Sequence, residues 1–289
     1  MNVDAHLHVW DPERAEYSWL GPELSPIDRA VPFDEIAPTL ARLGVDGVVL
    51  VQAADNAADT RLMLDTAAVH PEVVGVVAWV PLDEPDVVPA QLEALRENRL
   101  VRGIRNLFHA RPLEWATSPP VDRGIALVAA ADLTLDFVTG SPVALGDLPA
   151  IAERHPGLRL VIDHLGKPPI GGGDDERREW RRLLAAAAAN PLTHAKLSGL
   201  YASVGALDSW TEEAVRPFVD DALELFGPDR LMWGSDWPIA VLAGGYERVR
   251  EAIDGLLSSL SDSERGAILG DTARRFYDLD PQLPNTSHV

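Results

Sequence analysis

The chain has 289 residues, with 25 Lys and Arg against 45 Asp and Glu, a formal net charge of −20 when histidine is neutral. That balance repels polyphosphate and anionic bilayers and argues against a nucleic-acid or membrane-surface binder, while 46% hydrophobic residues suit a folded core rather than a disordered chain. With no cysteine, disulfides, zinc–thiolate sites, iron–sulfur clusters and a thiol nucleophile are excluded, and any metal must be held by His, Asp, Glu or Lys.

The first run, Val3–Trp10, reads as a β-strand. A Pro-rich, aromatic stretch through Pro32 follows it, then Phe33–Leu43, whose Ile36, Leu40 and Leu43 suit one helix face. Val45–Gln52 is a second strand, apolar along its length as a strand buried on both faces must be. The alternation continues with strands at Val73–Pro81, Leu100–Phe108, Leu133–Thr139, Leu158–Leu165, His194–Gly199 and Arg230–Trp237. Helical composition separates them at Asp59–His70, Val88–Arg99, Gly124–Ala131, Leu148–His155, Glu176–Asn190 and Glu212–Phe226. Eight strands in this rhythm predict an α/β fold, a (β/α)8 barrel forming one domain over residues 1–289, near the ~250 residues typical of that architecture. A doubly wound sheet would carry a glycine-rich phosphate loop after its first strand, where this chain has histidines. Gly171–Gly173 follows two prolines and reads as a loop. Ala15–Pro32 is expected to cover the barrel mouth, Gly173–Arg178 to form a mobile edge and Pro281–Val289 to fray. Neither a basic-then-apolar leader nor a run of eighteen apolar residues occurs, so the expectation is a cytoplasmic protein with a small-molecule substrate, no membrane and no nucleic acid.

In such a barrel, chemistry comes from the carboxyl ends of the strands, so polar residues late in apolar strands carry the information. His6 and His8 lie two apart and share one face, about 7 Å apart along the strand, where they can hold one metal ion or one substrate oxygen. A single interior histidine is more often a core residue; the pair is not. His164 ends the strand before Gly166 and Pro168, and if Ile162 and His164 share the inward parity, Asp163 faces the helices or orients a neighbour. Asp236 ends the last strand just before Pro238, and its plain alternative is an N-cap. Arg102 and Arg105 have opposite parity, so at most one of them faces inward, where it would bind a carboxylate or polarise a carbonyl, and the other is expected to be solvated. Lys196 is a cation inside a strand, costly unless paired. His70 and His155 read as helix-end residues, His109, His194 and His288 carry no pattern, and Asp46 and Asp136 are strand acids of structural or supporting kind. His-x-His, a later histidine and a terminal aspartate are the parts of a hydrolytic site: the aspartate takes a proton from water while imidazoles or a bound ion polarise the electrophile. No Gly-x-Ser-x-Gly elbow is present for a serine mechanism.

DAHLHVW at Asp4–Trp10, GVVLVQAA at Gly47–Ala54, VRGIRNLF at Val101–Phe108, VIDHLGKPPI at Val161–Ile170, KLSGLY at Lys196–Tyr201 and GSDWP at Gly234–Pro238 span almost the whole chain in order. With them the sequence resembles the amidohydrolase superfamily, and within it the lactonase-type branch of L-fuconolactonase, L-rhamnonolactonase and 2-pyrone-4,6-dicarboxylate lactonase. The resemblance implies a metal-dependent-hydrolase-like barrel with His6, His8, His164 and Asp236 as its central cluster and Asp236 as the base for water. It implies one divalent ion such as Zn2+ on His6, His8 and Asp236, with His164 as an additional ligand, or a metal-independent site; Arg102 and Arg105 stand on strand four in place of the carboxylated lysine of a binuclear centre. Asn106 stands where the sugar-lactonase pattern has a histidine, and Phe137-Val138-Thr139 where the fifth strand is more leucine-rich, departures that bear on the substrate. A dicarboxylate lactone calls for several inward arginines, and Arg102 or Arg105 with Lys167 and Lys196 are few. Trp10, Trp19, Trp79, Trp233 and Trp237 suit packing on a sugar ring. The expected activity is therefore hydrolysis of a neutral sugar lactone, such as L-fucono- or L-rhamnono-lactone, with Arg105, Arg102, Lys196, Trp10 and Trp237 binding substrate. The alternatives are a 2-pyrone-4,6-dicarboxylate-type lactonase, a metal-dependent decarboxylase of the same superfamily and, outside enzymes, a metabolite-binding barrel.

Overall fold

The computed structural model describes residues 1–203 and 209–279. Eight parallel strands follow one another around a single sheet in chain order: β1 (Val3–Leu7), β2 (Gly47–Val51), β3 (Val73–Ala78), β4 (Val101–Asn106), β5 (Thr134–Phe137), β6 (Leu160–Ile162), β7 (Thr193–Leu197) and β8 (Leu231–Trp233). Between them run α1 (Ala37–Arg42), α2 (Ala57–Val69), α3 (Val88–Arg96), α4 (Pro119–Ala130), α5 (Leu148–Arg154), α6 (Asp174–Ala188) and α7 (Glu212–Phe226). After β8 come α8 (Tyr246–Leu256), which completes the strand–helix rhythm, and α9 (Asp262–Gly266) and α10 (Thr272–Phe276), which go beyond it. The barrel closes where His8 N donates to Trp237 O at 2.7 Å and Asp236 N to His6 O at 2.8 Å. None of the helices among the described residues is long and apolar enough to cross a membrane.

The apolar continuity of the strands has a direct cause, since each is buried on both faces. Val49, Val51, Val74, Val77, Val161 and Met232 fill the barrel interior, and Phe276, Tyr277 and Leu279 plug its amino-terminal end. A larger apolar layer lies between the strands and the helices. β6 and β8 are shorter than their apolar runs suggest. After Ile162 and after Trp233 the chain leaves the ladder, and His164, Leu165, Lys167 and Asp236 adopt positive φ (54°, 51°, 59° and 59°). The expected strand ends at Leu165 and Trp237 are thus turns that carry polar side chains into the mouth.

The stretch Ala15–Pro32 is pinned to Trp10, just beyond β1. Trp10 and Val31 exchange backbone hydrogen bonds, and the Trp10 indole donates to the carbonyls of Ile27 and Arg29. Gly173–Arg178 is not the edge loop expected from its glycines: it is the capped first turn of α6, with Gly173 N donating to Glu176 Oε2 at 2.9 Å. The expected tail Pro281–Val289 lies outside the described residues.

Candidate active site

The site is built on the seam between β1 and β8. Asp4, fully buried, accepts from His6 N and Ser235 N, each at 3.0 Å, and from the Tyr246 hydroxyl at 3.1 Å. One carboxylate therefore ties both strand ends together. Gly234 permits the approach, because a Cβ there would stand 2.5 Å from His6 Cβ. A register shift between Asp4 and Leu7 accompanies the turning of His6 and His8 to the same side. Their rings meet edge to face, with Nε2 atoms 3.1 Å apart.

On β6 the parity differs from the sequence expectation. Val161, not Ile162, faces the interior, so Asp163 inherits the inward direction and is buried in the barrel. His164 still lines the mouth, because the left-handed turn replaces strand alternation there. Ser198 Oγ holds its Nδ1 at 2.8 Å. Gly199, with φ +56°, leaves room beside it: a Cβ would fall 2.6 Å from His164 Nδ1 and 2.7 Å from Asp236 Oδ2.

Beneath these groups lies a buried layer of charge. Lys196 contacts Asp136 at 2.6 Å, Asp163 at 3.0 Å and His6 Nδ1 at 3.1 Å. Arg105 donates to Asp163 at 2.8 Å and to the Gln52 carbonyl at 2.7 Å, and its Nη1 lies 3.2 Å from His6 Nε2. Tyr277 reaches up from the plug and donates to Asp136 at 2.7 Å. Two cations thus face two carboxylates, which is how charge survives away from water. Burial pushes the Asp136 carboxyl up to about 6 despite Lys196. Burial acts the same way on Asp163, but Lys196, His6 and Arg105 pull it well below the usual carboxylate range.

Of the expected substrate-binding residues, Arg105 reaches the cavity and Arg102 does not: Arg102 points to Asp278, 3.9 Å away at the plugged end. Lys196 is likewise no wall of the cavity, because Asp136, Asp163 and His6 enclose it completely. Trp237 and Trp233 pack in the apolar layer outside the barrel instead of meeting a ligand. Trp10 and Trp19 do line the cavity, edge to face with ring centroids 5.1 Å apart.

The cavity occupies about 390 Å³. His8, Asp236, His164 and Arg105 line it together with the two indoles, and Leu107, Val138 and Ile239 give it apolar wall. Burial holds His164 down at about 4 and lowers His6 well below the ordinary imidazole range, so both are neutral at pH 7. Burial would raise Asp236, but His164, His8 and His6 more than offset it and keep the carboxylate ionised. Lys167 and His109 also line the cavity. Burial lowers the Lys167 ammonium from its ordinary value despite the attraction of Asp236, and burial with nearby Arg105 and Lys167 brings His109 down to about 4. His109 has no strand pattern to betray it; its signal is its place, three residues past the carboxyl end of β4.

A divalent ion fits the donor set. His8 Nδ1 donates to the Val51 carbonyl at 2.7 Å, which leaves Nε2 as the ring nitrogen turned inward to meet an ion. His6 Nε2 and Asp236 Oδ1 converge on it, at 3.1 Å and 3.3 Å, and lie 3.7 Å from each other. Ligands at 2.0–2.1 Å from a tetrahedral zinc ion stand about 3.3 Å apart, so the spacing matches. Asp163, 3.3 Å from His6 Nδ1, is the outer acceptor such a ligand needs.

A family model described as Amidohydrolase matches residues 3–279. An L-fucono-1,5-lactonase from Burkholderia ambifaria is 35% identical over 286 residues, 96% of either chain. A protein of the same name from Burkholderia multivorans is 31% identical over 288 residues, again 96% of each. The crystal structure of an amidohydrolase from Burkholderia multivorans with bound zinc superposes with a TM-score of 0.90 at 30% identity, covering 97% of this chain and 100% of that one.

Proposed function

Because the chain belongs to the amidohydrolase family, we propose that it is a hydrolase that opens a neutral sugar lactone, of the L-fucono-1,5-lactone type, to the sugar acid. The observation that carries this reading is an ionised, buried carboxylate, Asp236, beside His8 and a neutral His164 on the wall of a cavity shared with two indoles. Asp236 accepts a proton from water as that water attacks the lactone carbonyl. Arg105, fixed by Asp163 and Gln52, presents positive charge to the developing oxyanion without having to reorganise. His164, held by Ser198, and His8, held by Val51, keep the attack geometry rigid. A divalent ion such as zinc, held by His6, His8 and Asp236, would supply Lewis-acid polarisation of the carbonyl.

The cavity also bears on the choice within lactones. The lysine and arginine among its described lining residues are Lys167 and Arg105, and Arg105 is already committed to Asp163. Two substrate carboxylates would be poorly matched there, whereas Trp10 and Trp19 suit the apolar face of a sugar ring. The test is proton release by purified protein from L-fucono-1,5-lactone and from 2-pyrone-4,6-dicarboxylate. A kcat/KM higher by about a hundredfold or more on the sugar lactone, some 2.7 kcal/mol, is expected; preference for the dicarboxylate contradicts the reading.

A further inference from the structure

We propose that Lys167 is the general acid of the reaction, its ammonium passing a proton to the ring oxygen as the acyl–oxygen bond breaks. The inference rests on the lactonase reading and adds a residue to it. Hydrolysis of a sugar lactone expels an alkoxide, a poor leaving group that needs a proton in or near the transition state. Asp236, as the base, begins the reaction without one to give.

The donors around the cavity are mostly committed. Arg105 Nη1 and Nη2 serve Asp163 and Gln52, His8 Nδ1 serves Val51, and His164 Nδ1 is bound to Ser198. The indoles of Trp10 and Trp19 donate to backbone carbonyls. Lys167 lines the same cavity, and its ammonium makes no hydrogen bond or ion pair with any described residue. A half-buried cation without a protein partner is available to a ligand acceptor.

The backbone that delivers it is unusual. Residues 164–167 all have positive φ, three of them not glycine, a conformation that costs free energy and persists where the surroundings hold it. Trp180 holds this turn by donating to the Leu165 carbonyl at 2.8 Å. One short turn thereby sends both His164 and Lys167 to the cavity that Asp236 also lines.

The protons balance. Water forms its bond to the carbonyl carbon while its proton passes to Asp236. On collapse the acyl–oxygen bond breaks, its electron pair stays on the ring oxygen, and that oxygen takes a proton from Nζ. Asp236 then loses its proton and Lys167 regains one through solvent, so the net change is addition of one water.

The absence of cysteine elsewhere in the chain allows a clean test: Lys167→Cys, followed by S-aminoethylation of the introduced thiol, which restores a side chain ending in an ammonium of lysine length. On L-fucono-1,5-lactone the substitution is expected to lower kcat by about a hundredfold or more with little change in KM. Aminoethylation should restore most of that loss, and S-methylation, which restores no charge, should not. A rise in KM at unchanged kcat, or a kcat loss that aminoethylation leaves in place, overturns the role of Lys167. Wild-type protein inert towards the lactone would instead overturn the lactonase reading itself.

Discussion

Lys196 has no contact with solvent, and its ammonium lies between Asp136 and Asp163 while also meeting His6. A strand cation of this kind is legible from sequence as a paired group, because an unpaired one is too costly. Its partners are not legible, since they come from β5 and the end of β6, more than thirty residues away. Replacing Lys196 by Met leaves two buried carboxylates short of a cation, with Arg105 and Tyr277 as the remaining donors. Breaking a buried pair in this way costs about 3–5 kcal/mol, so the urea midpoint of Lys196→Met should fall accordingly. A loss under about 1 kcal/mol would mean that the carboxylates are satisfied without it. His6 and His8 were readable as a pair for the opposite reason: both lie on one strand, where period two brings their side chains to one face.

At the scale of elements, alternation is informative only while the chain remains in the ladder. It assigns Arg105 inward and Arg102 away correctly as a pair of opposites, although it does not say which is which. It fails at Ile162 and His164, because the strand ends at Ile162, two residues before His164, and a left-handed turn takes over. The loop over the mouth was visible as an aromatic, Pro-rich insertion after β1, and its role becomes specific through Trp19. That indole donates to the Ala53 carbonyl and stands against Trp10 at the cavity wall. Because such a face grips ground state and transition state alike, Trp19→Ala should raise KM for the sugar lactone by about tenfold while kcat changes by less than about threefold. A fall in kcat of the same size at constant KM would show that Trp19 acts on the chemical step instead.

For the molecule as a whole, the eightfold rhythm was legible because parallel strands covered on both faces must be apolar throughout. The plug formed by Phe276, Tyr277 and Leu279 was not, because nothing local in its sequence says which end of a barrel it closes. The charge of −20 is consistent with a neutral substrate, since it disfavours the approach of a multiply charged anion. Closure of the barrel is also what assembles the site: the same backbone hydrogen bonds that join β1 to the segment after β8 set His6 and His8 beside Asp236. The central claim is that this carboxylate activates water for lactone opening. The most direct measurement is kcat/KM of Asp236→Asn on L-fucono-1,5-lactone, followed by proton release, beside a thermal-unfolding curve for the same variant. Loss of about a thousandfold or more in a variant that still unfolds cooperatively is the expected result; a rate within about tenfold of wild type would remove Asp236 from the mechanism.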